Sequence, residues 1–164
     1  MTTVFFICGN IGAGKTTYSR KLASQKNAVL FSIDPWMQNL YAADYDPPAH
    51  DFSWLTERVE RCKVQIRDIA GTLIEQNIDI ILDFGFGDIQ SRDFHRTWAV
   101  SSGARTSLHF LDIPVEIRRE RVHKRNREKG STFSFEVTDE MFNYVEGMFL
   151  PPSAEELIGG LVVT

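Results

Sequence analysis

Gly9-Asn10-Ile11-Gly12-Ala13-Gly14-Lys15-Thr16 meets the pattern G-x-x-x-x-G-K-[ST] at every fixed position. An apolar run, Val4-Phe5-Phe6-Ile7-Cys8, precedes it, and a helix-forming stretch from Thr17 to Gln25 follows. Strand, glycine loop and helix in that order are the context that gives the pattern its meaning. Glycine lets successive amides turn inward around a phosphate without a Cβ in the way. The new helix adds the positive end of its dipole, and Lys15 adds a mobile charge for the β and γ oxygens. The Thr16 hydroxyl is then placed to ligate Mg²⁺. Residues Gly9 to Thr17 are therefore the candidate contacts to a nucleoside triphosphate.

Outward from this loop, short apolar runs alternate with helical patterns. The runs Val4–Cys8, Val29–Ser32, Ile78–Phe84, Thr106–Asp112 and Leu161–Val163 predict an α/β fold with a parallel sheet covered on both faces. A long helix is predicted from near Ser53, where Leu55, Val59, Cys62, Ile66, Ile69 and Leu73 form one stripe. Further helices are predicted over Gln90–Ser102, packing Phe94 and Trp98, from Pro114 to Arg127, and over Val137–Met148. Pro151-Pro152 ends the last of these, and Ala154 to Ile158 forms a short turn. Between Trp36 and Trp54 the chain is rich in aromatics and proline (Trp36, Tyr41, Tyr45, Pro47, Pro48, Phe52, Trp54) and has no clean period. A loop packing its own aromatics and a cap over a second ligand both fit that composition.

The chain has 164 residues, of which 43% are apolar and 24% charged, values of one globular domain with a full core. A formal charge of −4 argues against gripping a polyanionic backbone, and so against nucleic acid as the main partner. Cys8 and Cys62 fit no metal spacing and no disulfide framework, so both are expected as reduced core residues. The first strand begins at the N-terminus, which leaves no room for a secretory signal, and no apolar run approaches membrane-spanning length. A cytoplasmic enzyme-sized domain is the expectation.

Ligands of open parallel sheets bind outside the carboxyl ends of the strands. Two aspartates lie there: Asp34, closing Phe31-Ser32-Ile33-Asp34, and Asp83, closing Ile80-Ile81-Leu82-Asp83. Asp83 has the form of a carboxylate delivered toward Mg²⁺ by an apolar strand. Asp34 fits three roles: a second metal contact, a base that orients and deprotonates an acceptor hydroxyl, or a helix cap before Pro35. The triplet Asp83-Phe84-Gly85 also spells the D-F-G of protein kinases, but the chain is too short for that fold and lacks its catalytic-loop signature.

Arg118, Arg119, Arg121, Arg125 and Arg127, with Lys124 and Lys129, make Ile117 to Gly130 the most basic stretch of the chain. One reading is a solvated helix laced with pairs such as Glu116–Arg119 and Glu120–Lys124. Another is a lid, since phosphoryl transfer gains from cations placed on the transferring group, and Arg121 and Arg125 share a face. The stretch Glu128 to Phe135, with Gly130, Ser131 and Thr132, would then open and close. Nucleic-acid contact is a third reading, disfavoured by the acidic whole.

Taken together, these residues resemble the small P-loop kinases of the zeta-toxin and chloramphenicol phosphotransferase type, with gluconate and shikimate kinases as more distant relatives. The resemblance covers nearly the whole chain. It rests on Gly9–Thr16, on Asp34, on Leu82-Asp83 followed by Arg92, on Glu120-Arg121-Val122 with Arg125, and on Pro151-Pro152 with Glu155 and Glu156. It implies a five-stranded parallel sheet in the order 2-3-1-4-5 and the use of ATP with Mg²⁺. It implies that Lys15, Asp34, Arg121 and Arg125 are catalytic, with Asp34 facing the acceptor hydroxyl and the arginines on a lid of about residues 118–138. An acceptor cap of about residues 35–56 would carry Trp36, with Arg92 near the acceptor or the phosphates, and the loop after Pro152 would lie near the nucleotide base. Polynucleotide 5′-kinases of this fold carry an arginine three residues after the aspartate; here that position is Met37. The departure points to a small, uncharged or partly apolar alcohol as acceptor.

Three function classes follow. The first is transfer of a phosphoryl group from ATP to a small-molecule hydroxyl, with a polynucleotide 5′-hydroxyl as a minor variant. The second is a nucleotide-hydrolysing switch. Against it, there is no N-K-x-D motif, and the D-x-x-G from Asp68 to Gly71 falls inside the predicted long helix. The third is a nucleotide-binding module without catalysis, against which the intact Lys15, Thr16, Asp34 and Asp83 speak.

Overall fold

The computed structural model describes residues 1–46, 49, 51–130 and 136–164, with the side chain of Phe52 left aside. Its strands are β1 (Thr3–Cys8), β2 (Val29–Ser32), β3 (Ile80–Gly85), β4 (Arg105–Leu111) and β5 (Leu161–Val163). Its helices are α1 (Lys15–Lys26), α2 (Ile33–Tyr41), α3 (Phe52–Glu75), α4 (Ile89–Ser101), α5 (Val115–Glu128) and α6 (Asp139–Met148), with a 3₁₀ turn at Ala42–Asp44. All strand pairs are parallel, in the order β2-β3-β1-β4-β5. That is the order the resemblance implied.

The central strand shows why the sheet is buried on both faces. Successive side chains of a strand point to opposite sides. Val4, Phe6 and Cys8 of β1 enter one core with Ile66, Ala70 and Ile74 of α3 and Ala99 of α4. Phe5 and Ile7 enter the other with Leu22 of α1, and Tyr18 packs against it. A strand covered on both faces has no polar side to show, which is why β1 reads as an unbroken apolar run. Among the described residues no helix is long and apolar enough to cross a membrane. Both cysteines are buried and unpaired, and burial pushes the Cys8 thiol up to about 11.

Three expectations need correction. The stripe of α3 runs through Cys62, Ile66, Ala70 and Ile74, while Ile69 stays exposed. From Cys62 to Ile74 the buried row follows the four-residue ridge rather than alternating steps of three and four. On α4, His95 and Ala99 are buried with Trp98 packed beside them, whereas Phe94 is exposed and carries the Arg67 guanidinium 4.9 Å above its ring. The segment after Trp36 is helical as far as Tyr41. Pro35 in the first turn of α2 costs no helical hydrogen bond, and the cap is Ser32 rather than Asp34. Beyond it, Tyr41 and Tyr45 pack on Trp54, and Trp36 packs against the core. Pro47, Pro48 and the Phe52 ring lie outside the described residues, as do Ser131 to Phe135 of the basic stretch.

Two buried histidines make the fold acid-sensitive. His109 of β4 is bonded through Nδ1 to the Tyr18 hydroxyl at 2.7 Å, and His95 of α4 through Nδ1 to the Ser91 carbonyl at 2.7 Å. Burial holds both below the ordinary imidazole value of 6.5, so the folded state disfavours their protonation. The unfolded chain then binds more protons just below pH 6.5, and stability falls as pH drops through that value. Glu146 and Glu156 lie below 4.5 and start to contribute only in more acid solution. The melting temperature is expected to decline between pH 7 and pH 5 and to decline less in His109→Gln; equal slopes in the two proteins would contradict this.

Candidate active site

The loop after β1 is shaped by two glycines with left-handed backbone, Gly12 (φ 76°) and Gly14 (φ 91°). At Gly12 space is decisive as well as φ, because a Cβ there would lie 2.4 Å from the Arg118 carbonyl oxygen of α5. Helix α1 starts at Lys15, and its first helical bond runs from the Tyr18 amide to the Gly14 carbonyl. The amides of Lys15, Thr16 and Thr17 precede that bond, and no acidic residue caps them. The result is a ready anion site at a helix N-terminus.

A buried polar network holds the loop in place. Arg118 pairs both guanidinium nitrogens with Glu146 of α6, at 2.6 and 2.8 Å, and donates to the carbonyls of Ile11 and Ile113. The same Glu146 carboxylate accepts from Asn10 Nδ2 at 2.7 Å, and Asn10 Oδ1 accepts from the Ile11 amide. Arg118 lowers the Glu146 carboxyl below the usual carboxylate range. Asn10 belongs to the predicted nucleotide contacts, but its bond to a residue 136 positions away has no local sequence signal. The Arg118 role was also missed, since its position within a basic stretch reads as solvated.

Lys15 and two aspartates face one another across the loop. Burial pulls the Lys15 ammonium down, while Asp83 and Asp34 pull it up. Its Nζ donates to the Asn10 carbonyl at 3.2 Å. Asp83 is raised by burial and by Asp34, opposed by Lys15 and by hydroxyl donors. Those donors are Ser32 Oγ at 3.2 Å and Thr16 Oγ1 at 3.5 Å, both on Asp83 Oδ2. Strand β3 runs two residues past Asp83 rather than ending on it, and Asp34 lies in the first turn of α2, whose cap is Ser32. The oxygens of Thr16 and Asp83 suit Mg²⁺, a hard cation that takes one or two protein oxygens and completes its shell with phosphate and water. Among the described residues no group of three or more His, Cys, Asp or Glu could hold a metal ion.

These groups open into one cleft of about 470 Å³. Gly9 to Gly12 and Gly14 to Thr17 form its floor, with Ala13 buried beneath. Asp34 and Asp83 line it, as do Arg121 and Arg125 of α5. Arg121 donates to the Ala13 carbonyl at 3.2 Å, and the buried Arg125 Nε has no hydrogen-bond partner among the described residues. Apolar walls come from Ile33, Phe84, Val137, Val145 and Phe149. The last three were not foreseen, being ordinary apolar residues on or beside α6. A shallower depression on the outer face of α5, around Arg119 and His123, is distinct from the cleft.

Two predicted contacts are not brought to the cleft. Trp36 packs against the core. Arg92 is 4% exposed and fully engaged: it pairs with Glu156 through Nε and Nη2 (2.6 and 3.1 Å) and donates from Nη1 to the carbonyls of Phe86 and Leu150. The segment after Pro152 is thereby fastened to the β3–α4 turn, and Leu157 packs on the core rather than lining the cleft.

Residues 4–148 match the family described as an AAA domain. A shikimate kinase from Baumannia cicadellinicola subsp. Homalodisca coagulata is 29% identical over 139 residues, spanning 82% of this chain and 73% of that protein. Among solved structures, a candidate kinase from Chloroflexus aurantiacus superposes with a TM-score of 0.75 at 16% identity, over 99% of this chain and 86% of that one. A gluconokinase from Sinorhizobium meliloti gives 0.62 at 13%, over 98% and 81%. A chain of the Pnkp1/Rnl/Hen1 RNA repair complex gives 0.64 at 19%, over 90% of this chain and 46% of that one. At these identities the structural likenesses speak for the fold.

Gly12→Ala is expected to push the loop off the Arg118 carbonyl, at a cost of about 1–3 kcal/mol in stability. Affinity for ATP, measured by calorimetric titration, should fall at least about tenfold. Unchanged affinity in the variant would dissociate this turn from triphosphate binding.

Proposed function

This chain belongs to the AAA domain family, and we propose that it is a kinase moving the γ-phosphoryl group of ATP, with Mg²⁺, to a hydroxyl group of a small molecule. The observation that carries the reading is the placement of Asp34: a second carboxylate, besides Asp83, facing Lys15 across the phosphate loop and beside an apolar wall. A nucleotide-binding site alone needs Lys15, Thr16 and Asp83. Asp34 next to Ile33 and Phe84 gives such a site a place for an acceptor.

Each residue then has a task. The loop amides and Lys15 hold the β and γ oxygens. Thr16 and Asp83 would hold Mg²⁺, and the ion would supply positive charge for the phosphates. Arg121 and Arg125 stabilise the charge spread over the transferring group. Asp34 orients the acceptor hydroxyl in line with the γ-phosphorus and takes its proton as the new P–O bond forms and the bond to the leaving oxygen breaks. Met37, where a polynucleotide kinase of this fold has an arginine, supports a small acceptor over a nucleic-acid end. The likeness to zeta-toxin and chloramphenicol phosphotransferase enzymes is part of the same proposal.

Asp34→Asn keeps shape and removes the base. It should lower acceptor-dependent ADP formation by about 100-fold or more while ATP affinity stays within a few-fold. Full turnover in Asp34→Asn would take Asp34 out of the mechanism.

A further inference from the structure

We infer that the acceptor carries no carboxylate or other anionic group close to the hydroxyl that is phosphorylated: its body is uncharged and packs on the Phe84 wall. The inference rests on the kinase reading above and narrows its substrate class.

It follows from where the cations are. An anionic acceptor in a partly apolar cleft needs a dedicated cation, because a buried, unpaired charge is costly. The cations lining the cleft are Lys15, Arg121 and Arg125. Lys15 rests on the Asn10 carbonyl and Arg121 on the Ala13 carbonyl, so both belong to the phosphate loop, and Arg125 lies one helical turn beyond Arg121. Against these three stand Asp34 and Asp83. The single net positive charge left over is less than the negative charge of a magnesium-bound triphosphate. Among the described residues, no cation lining the cleft is left for a second anion once Arg125, whose Nε has no partner there, is given to the transferring group.

The neighbouring arginines are used elsewhere. Arg92 is enclosed by Glu156 and two carbonyls, and withdrawing it would strand all three. Arg118 is held by Glu146, and Arg119 by Asp139 and Asn143. Arg58 lies over the Trp54 ring and donates to the Trp54 carbonyl and to Glu57. Arg67 lies over the Phe94 ring. The residues outside the described set contain no lysine or arginine.

The wall that remains beside Asp34 is apolar. The Phe84 ring is set edge-on to His95 (centroids 5.6 Å apart) and leans on Phe86 (5.7 Å), so its position is fixed from behind. Ile33 and Gly85 complete that side. Such a surface receives a carbon skeleton by contact. The two aspartates repel an anion placed between them and that wall.

The test uses matched pairs on the intact protein: a cyclic and an open-chain series of hydroxy acids, each against its methyl ester and its reduced alcohol. The readout is kcat/KM for ADP formation with Mg·ATP. The neutral member is expected to exceed the acid by about 100-fold or more. An acid used as well as its ester overturns the inference and leaves the kinase reading standing. ATP consumption that is the same with every compound and with none removes the kinase reading, and this inference with it. A cation added to the wall gives an independent arm. Phe84→Lys, with its fold checked by melting temperature, should narrow the gap at least about tenfold; a folded Phe84→Lys with the full gap overturns the placement of the acceptor on Phe84.

Discussion

The Arg118 carbonyl occupies the space that a Cβ on Gly12 would need, and the Arg118 side chain reaches back to the Ile11 carbonyl of the same loop. Backbone and side chain of one residue on α5 therefore clamp the phosphate loop from below. Glu146 completes the clamp, joining Arg118 to the Asn10 amide group and so tying α6 to the loop. A half-buried ion pair whose carboxylate also accepts from a neutral donor escapes much of the desolvation cost of an isolated pair. What the network supplies is geometry. It holds the floor of the cleft, the basic face of α5 and the apolar residues beside α6 in one relation, so that Arg121 and Val145 border the same space.

The charges within the cleft follow from that rigidity. Asp83 is buried and Lys15 partly so, and each limits the shift that burial imposes on the other. Asp34 raises Asp83 and supports the charge on Lys15, so the three act as one electrostatic unit. In the proposed reading, a triphosphate arriving here would replace contacts the loop otherwise makes with itself, such as Lys15 on the Asn10 carbonyl. Preorganised donors of this kind lose little to reorganisation when charge develops.

Arginine is where composition misleads most. A basic stretch on one helix reads as a lid or as a solvated face, and the structure divides it between several tasks. Arg118 is structural, Arg119 bridges to Asp139 and Asn143, and Arg121 and Arg125 face the cleft. Arg92 matched the resemblance by position, yet it fastens the C-terminal segment through Glu156. Nothing in the order of residues distinguishes these fates, because each depends on which carboxylate or carbonyl the fold brings within about 3 Å.

By itself the sequence determined the phosphate loop, the five strands and that two aspartates lie toward the carboxyl ends of β2 and β3. These are local matters: glycines set the turn, a two-residue period or unbroken apolar run sets the strand, and Asp83 follows directly on one. The helices were legible wherever an apolar stripe marked them, and α2 was not, because the stretch from Trp36 shows no clean period. Only the tertiary structure decided that Asn10 meets Glu146 across 136 positions, that Ser32 joins Thr16 on Asp83, and that Val137, Val145 and Phe149 wall the cleft. Those contacts join segments far apart in the chain, and the packing that creates them leaves no period or motif within any one segment.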